Sequence, residues 1–130
     1  MSAERDAILS AQYVALTTYR RDGTPVTTPV WAAAEGESLY LFSNAAAGKV
    51  KRLRNSSRAA IAPCTAIGKV TGAQLPAEAF NLTSDQMPKV WRLLTKKYGM
   101  AVRLFIAYDR ARALLRMQPS AGIVVHLSAQ

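Results

Sequence analysis

Apolar and polar residues alternate with a period of two in the first third of the chain, as in strands with one buried face. β-Branched and aromatic residues carry this alternation. The predicted strands are Tyr13–Tyr19, Pro25–Ala34 and Ser38–Ser43. Asp22-Gly23 separates the first two, and Glu35-Gly36-Glu37 separates the second and third, as in tight hairpin turns. The pattern therefore predicts a three-stranded antiparallel meander.

Two prolines stand in the second of these strands. Pro25 and Pro29 have no N–H to give to a β-ladder. We therefore expect this strand to begin after Pro25 and to have an irregular or edge-like middle. An interrupted strand exposes backbone groups that a planar ligand could use.

A helical period is found near both ends of the chain. Ala3–Ser10 is predicted to be a short helix, with Ser2 as its N-cap and acids in its first turn. A longer helix is predicted from Asp85 to Gly99, because Pro88 suits a first turn and Gly99 suits a helix end. Its shared face comprises Val90, Trp91, Leu94 and Tyr98.

A further helix is predicted from Val102 to Leu115. Its apolar side chains available for packing are Leu104, Phe105, Tyr108 and Leu115. Its outer side is basic and comprises Arg103, Arg110, Arg112 and Arg116. The last three arginines are interpreted as a solvated face, with a second anion-binding patch as the alternative.

The middle of the chain joins a basic helix to an apolar strand. The helix is predicted at Ala46–Arg54, where Ala46, Val50 and Leu53 form an apolar seam. The cations lie around this seam, with Lys49 and Arg54 beside it, Arg52 further round and Lys51 nearest to solvent. The seam predicts that the helix packs on the core and presents its charges at the flanks.

Three more strands are predicted in the rest of the chain. They are Arg58–Thr65, Lys69–Phe80 with a bend near Gly72 and Pro76, and Gly122–Ser128. Together with the meander they make six antiparallel strands. The predicted fold class is mainly β with short helices, as a small barrel in a single domain of residues 1–130.

The chain is strongly basic. Seventeen Lys and Arg stand against eight Asp and Glu, which gives a formal net charge of +9. There is no acid between Glu37 and Glu78, so the cations of the basic helix have no acidic partner nearby in sequence. This predicts an anionic ligand, which nucleic acid, an anionic surface or a phosphorylated, carboxylate-rich small molecule would satisfy.

Composition excludes several kinds of site. Cys64 is the only cysteine and His126 the only histidine, which excludes an intrachain disulfide and a Cys/His zinc site. Cys64 is interpreted as a packing residue, with a cofactor contact as the alternative, and His126 as a surface residue. No apolar run approaches the roughly 20 residues of a membrane span. Acids near the N-terminus oppose a signal peptide, so we expect a cytoplasmic protein.

Three segments together resemble a known family. They are YVALTTYRRDGTPVTTPVW (Tyr13–Trp31), GKVKRLRNSSRAAIAPCTAIGKVTG (Gly48–Gly72) and KKYGMAVRLF (Lys96–Phe105). In this order and spacing they resemble the F420-dependent (deazaflavin-dependent) branch of the pyridoxamine 5'-phosphate oxidase-like superfamily. The resemblance implies a six-stranded FMN-binding split β-barrel of Greek-key type. It also implies a homodimer that holds a flavin or coenzyme F420 at the subunit interface.

The resemblance assigns cofactor-binding roles position by position. The segment implied to line the tricyclic ring is Thr27, Thr28, Pro29, Val30 and Trp31, and the positions implied near the ring and ribityl chain are Ser43 and Asn44. The residues implied to hold the phosphate, and the oligoglutamate tail of F420, are Lys49, Lys51 and Arg52. The strand implied on the other side comprises Ala62, Pro63, Cys64 and Thr65. From the residues alone, Trp31 could be core or pocket wall, whereas Trp91 and Tyr98 are interpreted as core.

The chain departs from the family pattern after Gly72. Relatives continue there with an aromatic residue and a V-x-G-x-A-R strand, whereas this chain reads AQLPAEAF, with Pro76 and Glu78 inside it. The cofactor assignment rests on the better-matched half of the chain, and the substrate pocket depends on the other half.

The function implied by the resemblance is an F420-dependent oxidoreductase that transfers a hydride between the deazaflavin C5 and a small organic substrate. No catalytic side chain is assigned, because the cofactor carries that chemistry. An FMN-dependent oxidase or reductase and a cofactor-binding protein without turnover stay open as alternatives. A nucleic-acid-binding barrel is disfavoured, because the basic helix is not interleaved with aromatic residues. Neither a metal nor a membrane partner is expected.

Overall fold

Six strands and three helices make up the described part of the chain. The computed structural model describes residues 3–44, 48–99, 104, 107 and 120–127. The helices are α1 (Ala3–Ser10), α2 (Gly48–Asn55) and α3 (Met87–Tyr98), and Ser84–Gln86 forms a 3-10 turn before α3. The strands are β1 (Tyr13–Tyr19), β2 (Pro25–Glu35), β3 (Ser38–Asn44), β4 (Arg58–Cys64), β5 (Leu75–Asn81) and β6 (Ser120–Leu127).

The strands form a closed antiparallel barrel in the order β1-β2-β3-β6-β5-β4. β1 closes the barrel, because Leu16 lies opposite Thr28 of β2 on one side and Ile61 of β4 on the other. β3 and β4 follow each other in the chain but are not neighbours in the barrel, and α2 connects them. The predicted mainly β class and the six-stranded antiparallel barrel are confirmed.

Alternate residues of the strands fill the barrel interior. Fully buried members of this core include Val14, Leu16, Leu39, Leu41, Ile61, Ile123 and Val125. Burying one such side chain stabilises the fold by about 1.5–3 kcal/mol. Ile8 of α1 and the pair Val50 and Leu53 of α2 extend the same core. The predicted seam of the basic helix is thus confirmed at Val50 and Leu53, whereas Ala46 lies outside the described residues.

Helix α3 forms a second layer on the outside of β2 and β3. Val90 and Leu94 are fully buried against Ala33 of β2, as the predicted helix face requires. Gly122 of β6 permits the close approach of α3, because a Cβ there would lie 2.8 Å from the Met87 sulfur. Gly99 ends the helix with φ +69°, and its N–H donates to the Thr95 carbonyl. The predicted helix and its glycine stop are confirmed.

Strand β2 is an edge over its first seven residues. It pairs with β1 from Pro25 to Trp31, but with β3 only from Ala32 to Glu35. Among the described strands, nothing pairs with the other side of Pro25–Trp31. The expected late start is wrong, because an edge strand accommodates proline nitrogens that face away from its one neighbour. The expected edge-like middle is confirmed.

The predicted strand Lys69–Phe80 is shorter than expected. Only Leu75–Asn81 forms β5, and Val70 makes an isolated bridge to Cys64. Residues 65–74 form a loop instead, which folds back over the barrel so that Gln74 donates to the Thr17 hydroxyl at 3.2 Å. Tertiary packing therefore overrides the weak alternation of this segment.

Several other predictions concern the ends of the chain. Ser2, the predicted cap of α1, lies outside the described residues. So does most of the predicted helix Val102–Leu115, together with its four outer arginines. Leu104, which is described, is 67% exposed and does not pack as expected. No helix within the described ranges is long and apolar enough to cross a membrane.

Candidate functional site

A cleft opens where β2 and β3 separate. The two strands are paired from Glu35 back to Ala32, and beyond that point β3 leads into α2 while β2 continues along β1. The space between them is about 370 Å³. The lining residues are Tyr13, Pro29, Val30, Trp31, Phe42, Lys49 and Ala66. The cleft thus combines an apolar, aromatic wall with one ammonium group.

The aromatic wall is held from behind by α3. The Trp31 indole stacks on the Tyr98 ring, with centroids 5.0 Å apart and planes inclined by 12°. Its other neighbour is Phe42, which meets it edge to face at 6.3 Å. Phe42 in turn contacts the Trp91 ring at 4.9 Å. Trp31 is therefore both a packed residue and a wall of the cleft, and Trp91 and Tyr98 pack as predicted.

Polar contacts fix the end of α3 to the barrel. The Tyr98 hydroxyl lies 2.5 Å from the Gln12 carbonyl and 2.9 Å from the Ala32 carbonyl. Burial raises the pKa of Tyr98 to about 12, so the hydroxyl stays a donor at neutral pH. The neighbouring Lys97 ammonium donates to the carbonyls of Ala11 and Ala32, both at 2.6 Å. These bonds hold Tyr98 in place behind Trp31.

Lys49 supplies the charge of the cleft. It lies in the first turn of α2 and donates to the Ser43 hydroxyl at 3.3 Å. Burial, and secondly the charge of Arg52, lowers the pKa of Lys49 from its ordinary value. Within the described residues, no carboxylate lies within 4 Å of this ammonium. An anion placed in the cleft would compensate that charge.

Arg52 lies one turn further along α2. Its Nε donates to the Thr18 hydroxyl at 2.6 Å, which ties the helix to β1. Its guanidinium lies over Gly48, where a Cβ would come within 2.6 Å of Nη1. Burial, and secondly the charge of Arg20, lowers the pKa of Arg52. The cations thus lead from Lys49 to Arg52 on α2 and on to Arg20, which follows β1.

The structure brings some of the predicted site residues together. Those that line the cleft are Pro29, Val30, Trp31 and Lys49, and Ser43 is bonded to Lys49. The hydroxyl of Thr27 instead faces that of Thr17 at 2.7 Å. Neither Thr28 nor the exposed Lys51 lines the cleft, and Arg52 lies beside it. The side chain of Asn44 lies outside the described part of the structure.

The predicted β4 segment lies on the far side of β1. Tyr13 stands between the two strands, because it is opposite Trp31 in β2 and opposite Cys64 in β4. None of the four residues predicted there lines the cleft, namely Ala62, Pro63, Cys64 and Thr65. Cys64 is buried, and burial raises the pKa of its thiol.

Three residues that line the cleft were not predicted from the sequence. Tyr13 could have been found, because a hairpin centred on Asp22 places it opposite Trp31. Phe42 precedes the predicted Ser43 and faces the same aromatic cluster. Ala66 carries no signal, since it reaches the cleft only through the fold of the loop after β4. No group of three metal-binding side chains is present among the residues described.

Comparison with known proteins gives the family. The sequence profile described as pyridoxamine 5'-phosphate oxidase matches residues 1–126. No curated protein sequence matches the chain. The profile therefore carries the sequence evidence, over nearly the whole chain.

Solved structures of similar fold bind different cofactors. The heme storage protein HutZ from Vibrio cholerae is 11% identical with a TM-score of 0.68, over 97% of this chain and 88% of that one. An FAD-binding protein from Mesorhizobium loti is 17% identical with a TM-score of 0.66, over 99% and 91%. A structure named F420 reductase is 19% identical with a TM-score of 0.62, over 99% and 96%. At these identities the likeness shows a common fold.

Proposed function

The chain belongs to the pyridoxamine 5'-phosphate oxidase family, and from that premise we propose that it is an oxidoreductase that binds coenzyme F420. One observation carries this proposal. The Lys49 ammonium is half-buried without a carboxylate partner among the described residues, at a cleft walled by aromatic rings. Such a cleft suits a planar ring with an anionic chain, and an F420 reductase is among the structures that share the fold.

The residues that line the cleft suit a bound F420. Pro29, Val30 and Trp31 offer an apolar surface for the ring, and the edge of β2 offers backbone groups that β3 does not use. Lys49 would bind the phosphate, with Arg52 in support, because charged hydrogen bonds are the strongest that a protein can offer a phosphate. The line of cations toward Arg20 gives a longer anion further partners.

The bound cofactor would supply the chemistry, which is hydride transfer between the deazaflavin C5 and a small organic substrate. The side chains of this chain bind and orient. Trp31, fixed by Tyr98, would hold the plane of the ring, and Phe42 would exclude water from that side. Positioning of this kind is what a cofactor enzyme requires of its protein.

FMN is the second candidate cofactor. Among the described residues, only one ammonium, that of Lys49, lines the cleft itself, and a single phosphate needs no more. FMN and F420 share the ring shape but differ in the number of anionic groups. The two are therefore distinguished by whether affinity depends on a polyglutamate tail and on salt.

We propose further that two copies of the chain form a homodimer over the loop after β4. Ile67 and Val70 of this loop are 90% and 50% exposed. Exposed apolar side chains in one patch are typical of a surface that a partner covers. Ala66, next to Ile67, lines the cleft, so a partner seated on this loop would lie beside the ligand.

Direct binding tests the proposed function. Purified protein is titrated with oxidised F420, FMN, FAD and heme while ligand or tryptophan fluorescence is followed. Saturable binding of F420 that is tighter than that of FMN supports the proposal, and reduced F420 is then used to screen acceptors. Tight FMN binding without F420 binding assigns the protein to the flavin alternative. Binding of heme alone contradicts both.

A further inference from the structure

A second cleft lies at the opposite end of α2. Its volume is about 470 Å³. The lining residues are Tyr19, Arg20, Arg21, Gly23, Asn55, Ser56 and Arg58. They come from the end of β1, the β1–β2 turn, the end of α2 with the residue after it, and the start of β4. None of them lines the proposed cofactor cleft.

Neutral groups hold two of these arginines in place. The Arg21 guanidinium donates to the Asn55 side-chain oxygen at 3.3 Å. The Arg58 guanidinium lies 3.9 Å from the centre of the Tyr19 ring, a cation–π contact. Both contacts orient a guanidinium without cancelling its charge, as a preformed anion site requires.

Two carboxylates lie near this cleft, and neither forms an ion pair with its arginines among the described residues. The exposed Asp22 accepts the Thr24 N–H at 3.0 Å within the turn, and this bond, together with the charge of Arg20, lowers the pKa of its carboxyl. Glu78 lies opposite Arg58 in the β4–β5 register, but it accepts a bond from the Ser57 hydroxyl at 3.4 Å. The described part of the chain has two ion pairs, Arg5–Glu37 and Lys89–Glu35. The arginines of this cleft take part in neither.

The turn itself is well defined. The Gly23 N–H donates to the Arg20 carbonyl at 2.8 Å, and Gly23 has φ +91°, a conformation that favours glycine. The Arg20 N–H donates to the Thr24 carbonyl at 2.9 Å. The backbone that carries Arg20 and Arg21 is therefore fixed before any ligand arrives.

This cleft continues the cationic line of α2. Asn55 follows Lys49 by six residues, which is a rise of about 9 Å along a helix. Arg52 lies between them, close enough to Arg20 for their charges to repel. An anion near Arg20 would compensate part of this positive charge.

We propose that the arginine cleft, formed by Arg20, Arg21 and Arg58, is a second anion site that binds a phosphate or carboxylate group. This group has two possible sources. It can be the distal anionic end of the ligand whose first anion is bound by Lys49, which rests on the proposed function. It can also be a separate small anion, which does not. Nucleic acid is a different class of ligand and is one outcome of the test.

The first experiment locates the site without any cofactor. Inorganic phosphate is titrated into uniformly ¹⁵N-labelled protein, and backbone amide shifts are followed. Saturable shifts at Gly23, Asn55 and Ser56 support the proposal, and shifts confined to residues near Lys49 overturn it. In the Arg20→Gln/Arg21→Gln variant the affinity at these amides should fall about tenfold or more, as for the loss of charged hydrogen bonds. Arg92→Gln/Lys96→Gln on the exposed side of α3 is the control with the same loss of charge.

The second experiment separates the two sources. F420 with one glutamate, F420 with several glutamates, and FMN are titrated against the wild type and the Arg20→Gln/Arg21→Gln variant. If the distal end of the ligand occupies the cleft, affinity rises with tail length in the wild type only. If a separate anion occupies it, phosphate shifts the cleft amides equally with and without bound F420.

Anion binding in the arginine cleft and F420 binding at Lys49 can be tested independently. Lys49→Gln should weaken F420 binding about tenfold to 100-fold while phosphate still shifts the Gly23 and Ser56 amides. Absence of F420 binding with intact phosphate binding would reject the cofactor and keep the arginine cleft. A short single-stranded oligonucleotide that shifts these amides when phosphate does not, with steep loss at higher salt, would overturn the small-anion site.

Discussion

The indole of Trp31 and the phenol ring of Tyr98 are stacked, with centroids 5.0 Å apart and planes inclined by 12°. One belongs to the edge of β2 and the other to the last residue of α3. The barrel edge that walls the cleft is thus backed by a helix, and the Tyr98 hydroxyl secures that helix on the Ala32 and Gln12 carbonyls. This pair therefore contributes both to the stability of the fold and to the geometry of the cleft.

Replacing Tyr98 should separate these two roles. Tyr98→Phe removes the hydroxyl but keeps the stack, so the free energy of unfolding should fall by about 1–3 kcal/mol with cofactor affinity nearly unchanged. Tyr98→Ala removes both and should also weaken the cofactor. Urea unfolding followed by tryptophan fluorescence, together with ligand titration, measures the two effects. Equal loss of affinity in both variants would contradict the positioning of Trp31 by the ring.

Much of the barrel could be predicted from local patterns. β1 and α1 have the predicted bounds, because β-branched and aromatic residues, the turn residues and the acids in the first turn of the helix mark them. The start of β5 could not be predicted, since it depends on how the loop of residues 65–74 packs over β1. The same loop brings Ala66 to the cleft, which no local signal marks.

The family resemblance treats three cations of α2 alike. It assigns Lys49, Lys51 and Arg52 together to the phosphate and tail of the cofactor, whereas the phase of the helix predicts Lys49 beside the apolar seam and Lys51 nearest to solvent. The structure separates them, because a helix turns by 100° per residue: Lys49 enters the cleft, Arg52 reaches Thr18 and Lys51 is exposed. Helical phase relative to the buried seam thus decides which cation faces the cleft.

Lys49 and Lys51 therefore provide a matched pair for testing the cleft. Lys49→Gln should weaken F420 or FMN binding about tenfold to 100-fold, because a charged hydrogen bond contributes about 1.5–3 kcal/mol. Lys51→Gln removes the same charge from the exposed side of the helix and should change affinity less than about threefold, through long-range charge alone. Fluorescence titration at constant ionic strength measures both. Similar losses would mean that net charge, and not the cleft, binds the cofactor.

Binding should also depend on alkaline pH through Lys49. Burial and Arg52 lower the pKa of its ammonium below 10.5 in the free protein, and a bound anion favours the charged form. Affinity should therefore be constant while Lys49 is charged and should fall as pH rises through its lowered pKa. Titrations between about pH 7 and 10 at fixed salt measure this, within the range set by the pKa of a free lysine.

Two variants assign this pH dependence. Lys49→Arg keeps its charge throughout and should flatten the profile. Tyr13→Phe removes a hydroxyl from the described lining of the cleft while Lys49 stays in place, and it serves as the control for a change in that lining. If the affinity of Lys49→Arg still falls as pH rises, Lys49 is not the source of the pH dependence. Lys97, whose pKa is also lowered by burial, would then be the next candidate.

Gly48 should matter for the position of Arg52. In Gly48→Ala the new Cβ would lie 2.6 Å from the Arg52 Nη1, so the guanidinium must move while the backbone keeps its place. We expect the melting temperature to be nearly unchanged, because the preference of a helix for alanine over glycine, about 1 kcal/mol, offsets the weakened bond from Arg52 to the Thr18 hydroxyl. Cofactor affinity should fall toward that of Arg52→Gln. The Gly48→Ala/Arg52→Gln double variant should bind the cofactor no more weakly than Arg52→Gln alone. If the two losses of affinity add, Gly48→Ala does not act by moving Arg52.

The loop after β4 tests the proposed homodimer. Ile67→Glu adds a charge to a side chain that is 90% exposed in the single chain, so it should not disturb the barrel itself. If a second copy covers this side chain, the buried charge should shift the protein toward monomer in analytical ultracentrifugation.

Phe80→Glu, at a 43% exposed position on β5, makes the same kind of change on another strand and should leave assembly intact. Because Ala66 next to Ile67 lines the cleft, the monomeric variant should also bind F420 more weakly. A wild type that sediments as a monomer, or equal effects of both substitutions, would reject this interface.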